Sequence, residues 1–103
     1  MIETTLRRRI EVLVDAPLVR LVVAAAHAAG VSGYTLMPTL GGEGRQGVWS
    51  DDQVTGAQAK VLFLAITTDE KSQRLLDQLM PLLDSHGLVV LSSPVDVIRK
   101  EKF

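Results

Sequence analysis

Apolar residues recur along the chain at two spacings, one of period two and one of helical period. Residues 9–14 alternate charged and apolar side chains before turning fully apolar, which is typical of a β-strand. Residues 33–39 predict a second strand, and Pro38 places part of it at a sheet edge or a bulge. Residues 59–66 predict a third strand, which is apolar enough to be covered on both faces.

Two further segments carry apolar residues at helical spacing. The first follows Asp15, a suitable capping residue, and Gly30 is suited to end it. The second follows Thr67, which forms a capping-box pattern with Glu70 three residues later. Pro81 lies inside this second segment, and we expect it to kink or interrupt the helix.

The C-terminal part predicts a fourth strand over residues 88–91 and a short fifth over 95–98, with turn residues at 92–94. The element order is therefore βαββαβ plus one short strand. Two right-handed βαβ crossovers interleaved in this order form a ferredoxin-like α+β sandwich, one antiparallel sheet with two helices on one face. The other face needs a cover, which further copies of the chain supply most simply.

The amino-acid composition of the chain excludes several classes of protein function. The 103 residues predict one domain, over 1–103, since two cores would each be implausibly small. Eleven Lys plus Arg against twelve Asp plus Glu argue against a nucleic-acid or membrane-surface binder. There is no Cys, His27 and His86 are isolated, and catalytic motifs are absent, so we expect no metal and no enzyme. No apolar run reaches about 18 residues and no signal-peptide pattern is evident, which predicts a cytoplasmic protein.

The sharpest chemical feature is the polar, glycine-rich stretch at residues 41–56, which we predict to be a flexible loop. Its glycines permit close backbone approach, so that successive amide groups can surround an anion. Arg45 adds a bidentate donor for phosphate or carboxylate, and Gln46 offers a donor and an acceptor. The alternative interpretation is a flexible connection with an incidental arginine.

Several short motifs resemble the signal-transduction protein P-II. Gly33-Tyr34-Thr35 and Gly42-Glu43-Gly44-Arg45-Gln46 are similar to the family's Gly-x-Thr strand and to the Gly-x-Gly-Arg-Gln at the base of its T-loop. Val97-Ile98-Arg99 is similar to a C-terminal Val-Ile-Arg, and Lys60 stands where a lysine opens the family's third strand. The resemblance covers nearly the whole chain and makes residues 41–56 the counterpart of the T-loop.

This resemblance implies a homotrimer that binds an adenine nucleotide in each cleft between neighbouring subunits. Ala65 and Ile66 would lie near the base, and Gly87 and Arg99 near the phosphates or the ribose. The full set of residues that the resemblance places at the nucleotide is Thr35, Gly42, Gly44, Arg45, Gln46, Ala65, Ile66, Gly87 and Arg99.

Three departures from the P-II pattern bear on the ligand. No Tyr lies between Gly47 and Lys60, so the loop cannot be uridylylated. The family's phosphate loop is reduced to residues 85–88, and Glu101 replaces its second C-terminal arginine. These losses should weaken triphosphate binding most. The chain is thus more similar to the branch associated with bicarbonate transporters and carboxysomes, which implies ADP, AMP or cyclic AMP as effector, bicarbonate as a further ligand and a membrane transporter as partner.

Two other regulatory domains share the predicted fold. A domain of the ACT type would bind an amino acid and has the same element order. A metal-sensing relative would need soft ligands, of which the sequence has few.

Overall fold

The computed structural model describes residues 2–45, 47–50 and 59–103. In these residues a four-stranded antiparallel sheet with the order β2-β5-β1-β6 packs against two helices, and a separate two-stranded hairpin projects from it. The main strands are β1 (Thr5–Asp15), β2 (Thr35–Pro38), β5 (Lys60–Thr67) and β6 (Val89–Val97), the hairpin strands are β3 (Gly41–Gly44) and β4 (Gly47–Ser50), and the helices are α1 (Val19–Ala28) and α2 (Asp69–Ser85). Short 3-10 turns lie at Ala16–Leu18 and Lys100–Lys102.

This strand order confirms the ferredoxin-like α+β sandwich. Burial along β1 alternates, because Ile10, Val12 and Val14 point towards the helices while their neighbours point away. Phe63 on β5 lies directly beside Val12 and is fully buried. The core thus forms between one face of the sheet and the apolar stripes of α1 and α2, whose buried members include Val22, Ala26, Leu75 and Leu79.

The predicted helix starts need correction. Asp15 makes no side-chain capping bond, because its carboxylate instead accepts a 2.6 Å bond from Lys60 Nζ, and a 3-10 turn precedes α1. The cap of α2 is Thr68 rather than Thr67, since Thr68 Oγ1 accepts from the Lys71 amide at 3.3 Å. Thr67 is the last, buried residue of β5.

The sequence predicted that Pro81 would kink or interrupt its helix and that Pro94 would lie in a turn, but a regular element continues through each of these prolines. Helix α2 continues through Pro81, because Leu79 before it and Leu82 after it both pack on the core. The two predicted C-terminal strands are one strand, β6, which runs through Pro94. This strand lies at the edge of the sheet, where the missing amide of a proline leaves no ladder partner unsatisfied.

The predicted loop at residues 41–56 is also more ordered than expected at its start. Strands β3 and β4 pair in antiparallel register, with Gly42 opposite Trp49 and Gly44 opposite Gly47. Gln46 and residues 51–56 lie outside the described residues.

The second face of the sheet carries apolar side chains that neither helix covers. On β6, Val89 and Leu91 pair with Leu13 and Glu11 of β1 and are 51% and 58% exposed. We call this surface, with the outward residues Leu62 and Leu64 of β5, the open face. Neither described helix is long and apolar enough to cross a bilayer.

Candidate functional site

Two clefts in the described part of the chain contain residues predicted at the nucleotide, and the larger of these two lies between the hairpin and the turn after α2. It has a volume of about 720 Å³, within the usual range of about 300–1,000 Å³ for small-molecule sites. We call it the hairpin cleft. It brings together three residues that the sequence predicted at a nucleotide, namely Gly44, Arg45 and Gly87. Its lining also includes Leu13, Lys60, Trp49 and His86, which the sequence analysis did not assign to the site.

Arg45 is presented at the turn that joins β3 to β4. The turn depends on Gly47, whose φ of +117° is unfavourable for other residues. Arg45 is exposed, and its guanidinium makes no hydrogen bond or ion pair with any described residue. An unpaired, planar pair of donors at the mouth of a cleft is suited to bind a phosphate or a carboxylate.

The indole of Trp49 attaches the hairpin to the main sheet. Its Nε1 donates a 3.1 Å bond to Thr39 Oγ1, which in turn donates a 2.7 Å bond to the carbonyl of Lys60. Lys60 Nζ lies 5.4 Å from the centre of the indole ring, within cation–π range. The same ammonium is held by Asp15, so that the hairpin, β5 and the end of β1 are joined at one point.

Gly42 has a structural role beneath this indole. A Cβ placed on it would lie 2.4 Å from Trp49 Cη2, which no real contact tolerates. Gly42 lines neither cleft, and its assignment to the nucleotide stays a prediction.

We therefore expect Gly42→Ala to displace the indole and loosen the hairpin, at a cost of about 1–3 kcal/mol, the usual scale for overpacking. Trp49 is the single tryptophan of the chain, so its fluorescence emission should shift to longer wavelength as the ring becomes wetter. Gly44→Ala is the matched control, because nothing lies within 4 Å of the Cβ that it would add. An unchanged emission spectrum in Gly42→Ala would contradict the packing.

The smaller cleft lies between β2, β5, the start of α2 and the C-terminal turn. It has a volume of about 200 Å³, and we call it the tail cleft. Three further predicted residues, Thr35, Ala65 and Ile66, line it. Tyr34 also lines it and stacks on Phe63, with 5.4 Å between the ring centres.

The C-terminal residues close one side of the tail cleft. The main-chain oxygen of Phe103 accepts a 3.2 Å bond from Arg7 Nε, which fixes this segment against β1. Lys102 and Phe103 both line the cleft, whereas Arg99 is exposed and lines neither cleft. Lys102 and Phe103 carry no motif that would predict them here, because only the fold brings the C-terminal turn to the same cleft as Thr35.

Six of the nine predicted site residues are thus divided between two clefts of one protomer, whereas Gly42 and Arg99 line neither and Gln46 lies outside the described residues. Gly44, Arg45 and Gly87 belong to the hairpin cleft, and the second group belongs to the tail cleft. Among the described residues no three His, Cys, Asp or Glu side chains converge as metal ligands. His86 instead lies 2.7 Å from Ser85 Oγ through its Nδ1.

Known structures share this fold over the full length of the chain. CPII, a nitrogen regulatory PII-like protein from Thiomonas intermedia solved with ADP, AMP and bicarbonate, is 24% identical with a TM-score of 0.90, and the match covers 100% of this chain and 98% of that one. A PII-like signaling protein from Thermus thermophilus is 20% identical with a TM-score of 0.83, and the match covers 98% of both chains. No curated protein sequence matches the chain. Because the sequence model of the nitrogen regulatory protein P-II family matches residues 7–102, the protein belongs to that family.

Proposed function

We propose that the protein is a non-catalytic sensor that binds an adenine nucleotide, ADP or AMP rather than ATP, between the subunits of a homotrimer. The observation that carries this proposal is the division of the predicted nucleotide residues between two clefts. CPII, which has the same fold, was solved with ADP, AMP and bicarbonate, and this supports the same ligand class here.

The open face supports the trimer. Leu91 and Val89 leave more than half of their surface in water in the single chain, and Val89 stands opposite the apolar Leu13 on the same face. Closed symmetry buries such a face without producing an open-ended polymer. Three copies with their open faces turned inward would leave the helices outside and bring each hairpin cleft near a neighbouring chain.

Such an assembly would complete the binding site. The hairpin cleft of one protomer would contribute Arg45 and the glycine turn at Gly87 to the phosphates. The tail cleft of its neighbour would contribute Thr35 and Ile66 to the rest of the nucleotide. Its 200 Å³ is below the usual range for small-molecule sites, so it can hold only part of such a ligand.

The hairpin is the proposed output of the sensor. Arg45 stands at its tip and Trp49 in its second strand, so a ligand that binds Arg45 acts on the same small element that Lys60 and Thr39 hold against the sheet. Occupancy would thereby bias the position of the hairpin and of the residues that follow it. We propose a membrane transporter as the partner and the cytoplasm as the location, with bicarbonate as a further ligand.

Calorimetric titration with AMP, ADP, ATP and cyclic AMP, each with and without bicarbonate, tests the proposed function. We expect ADP or AMP to bind most tightly, and Arg45→Ala to reduce the binding free energy by about 1.5–3 kcal/mol, the usual scale for hydrogen bonds to charged groups. Arg45→Lys should restore only part of it, because an ammonium lacks the planar fork.

The control is Arg74→Ala, which removes an exposed arginine whose partner is Glu70 on the outside of α2. Failure of every nucleotide to bind would overturn the proposal, and binding of an amino acid in the same series would favour an ACT-like function. Unchanged affinity in Arg45→Ala would remove this residue from the site.

A further inference from the structure

The hairpin has few side chains of its own with which to fix its position. Strands β3 and β4 have four residues each, and half of these eight residues are glycine. A two-stranded hairpin is at best marginally stable in water, and glycine neither packs nor restricts the backbone. Leu40, just before β3, is 84% exposed and adds little packing. The place of the hairpin beside the sheet therefore depends on specific side-chain contacts.

Thr39 lies where the chain passes from the main sheet to the hairpin. Its amide donates a 3.2 Å bond to the carbonyl oxygen of Lys60, and its hydroxyl donates a 2.7 Å bond to the same oxygen. A threonine hydroxyl has one proton, which this bond uses, so its oxygen is the acceptor for the 3.1 Å bond from Trp49 Nε1. The hydroxyl thus links the indole of the hairpin to the main chain of β5.

The side chain of Lys60 contacts the same indole at a different place. Its Nζ lies 5.4 Å from the centre of the ring and is held there by Asp15 at 2.6 Å. The ammonium therefore meets the ring itself, whereas the hydroxyl of Thr39 meets the N–H group at its edge. Two contacts at different atoms fix both where the indole lies and how it is turned.

The position of the indole decides the shape of the hairpin cleft. Trp49 and Lys60 line this cleft together with Arg45, which lies at the turn of the same hairpin. Thr39 lines neither cleft, so it would not touch a ligand bound in one. Any effect of its hydroxyl on binding must therefore act through the hairpin.

From this arrangement we infer that Thr39 is a positioning residue, whose hydroxyl holds the hairpin where Arg45 and the turn at Gly87 form one cleft. That the hydroxyl fixes the hairpin stands on the geometry of the protomer alone. That it raises the affinity for an adenine nucleotide rests on the proposed function. If a ligand binds only when the hairpin is in place, its apparent affinity falls by the same factor as the fraction of molecules in that state.

The first test compares the wild-type protein with Thr39→Val, which keeps the shape of the side chain without the hydroxyl, and with Thr39→Ser, which keeps the hydroxyl. In Thr39→Val the emission of Trp49, the single tryptophan, should move to longer wavelength, and its quenching by acrylamide should increase. Thr39→Ser should restore both. Thr4→Val is the matched control, since Thr4 is exposed and lines neither cleft.

The amide of Thr39 keeps its bond to Lys60 in every variant at this position, so we expect each to fold, and circular dichroism checks this. Trp49→Phe removes the donor at the other end of the bond and tests the same contact without changing Thr39. Hydrogen exchange of the β3 and β4 amides should become faster in both Thr39→Val and Trp49→Phe.

The second test is calorimetric titration with ADP and AMP. We expect Thr39→Val to weaken binding about three- to tenfold, the scale of one hydrogen bond, and Thr39→Ser to recover most of this loss. The double variant Thr39→Val, Trp49→Phe should bind no more weakly than Trp49→Phe alone, because the two substitutions remove the same bond.

Unchanged emission, quenching and hydrogen exchange in Thr39→Val would overturn the inference. So would wild-type nucleotide affinity in a variant whose emission has shifted, or losses that multiply in the double variant, since the two residues would then act independently. A shift in emission that Thr39→Ser reverses, in a protein that binds no nucleotide, would support the role of the hydroxyl while the proposed function fails. The two failures are therefore distinguishable.

Discussion

Leu91→Asp is expected to dissociate the trimer into single chains and, with it, to abolish tight nucleotide binding. Leu91 is 58% exposed in the protomer, so the substitution removes little from the fold of one chain. In a trimer with inward open faces it would bury three carboxylates, each beside Glu11, its partner across β1 and β6. Glu11 already holds Arg9 at 3.0 Å, so each new carboxylate would add a second negative charge beside this pair. Burial of a charge costs several kcal/mol, and here the cost is repeated in every copy.

Light scattering measures the outcome directly, as a fall from about three times 11.2 kDa to 11.2 kDa. Met80→Asp is the control, because Met80 on α2 is 63% exposed and lies away from the open face. A trimer that survives Leu91→Asp would show that the open face is not the interface. A monomeric variant that binds ADP with wild-type affinity would place the whole site within one chain.

Leu75→Ala is expected to lower the free energy of unfolding by about 2–5 kcal/mol, the range measured for removal of a buried leucine side chain. Leu75 is fully buried where α2 packs on the sheet, so the truncation leaves a cavity as well as losing apolar contact. The loss is large beside the total stability of about 5–15 kcal/mol that small proteins have.

Urea denaturation at one fixed protein concentration measures this change, since dissociation of an oligomer would otherwise enter the midpoint. Met80→Ala on the exposed side of the same helix should change the free energy of unfolding by about 0.5 kcal/mol or less. Equal midpoints for the two variants would contradict the described core.

The fold was predictable wherever a long apolar stripe or alternation decides the structure. Both helices and the central strands β1 and β5 follow their periodicity closely. The errors fall where a local breaker is overridden by tertiary context, as with Pro81 in a helix held by packing on both sides and Pro94 in an edge strand. The sequence did not predict the hairpin, because Gly42 has no side chain that could contribute to an alternating apolar pattern. Its pairing with Trp49 is visible only in the structure.

The candidate site was predictable in so far as motifs mark it. The glycines and the arginine of the hairpin are contiguous in sequence, and the structure places Gly44 and Arg45 on one cleft with Gly87. Lys71 and Lys102, which line the tail cleft, have no such signature, since each is an ordinary charged residue of its own turn. Their proximity to one cleft depends on how the C-terminal segment folds back across β1.

Each of the two edge strands of the four-stranded sheet contains a proline, Pro38 in β2 and Pro94 in β6. Exposed rims are where a foreign strand would otherwise add on and begin a growing fibre. A proline there offers no amide to such a strand, and β2 is only four residues long. The two edges of the sheet therefore disfavour the addition of further strands, whereas the open face can contact other copies of the chain. Association through the open face can stop at a small, closed number of copies.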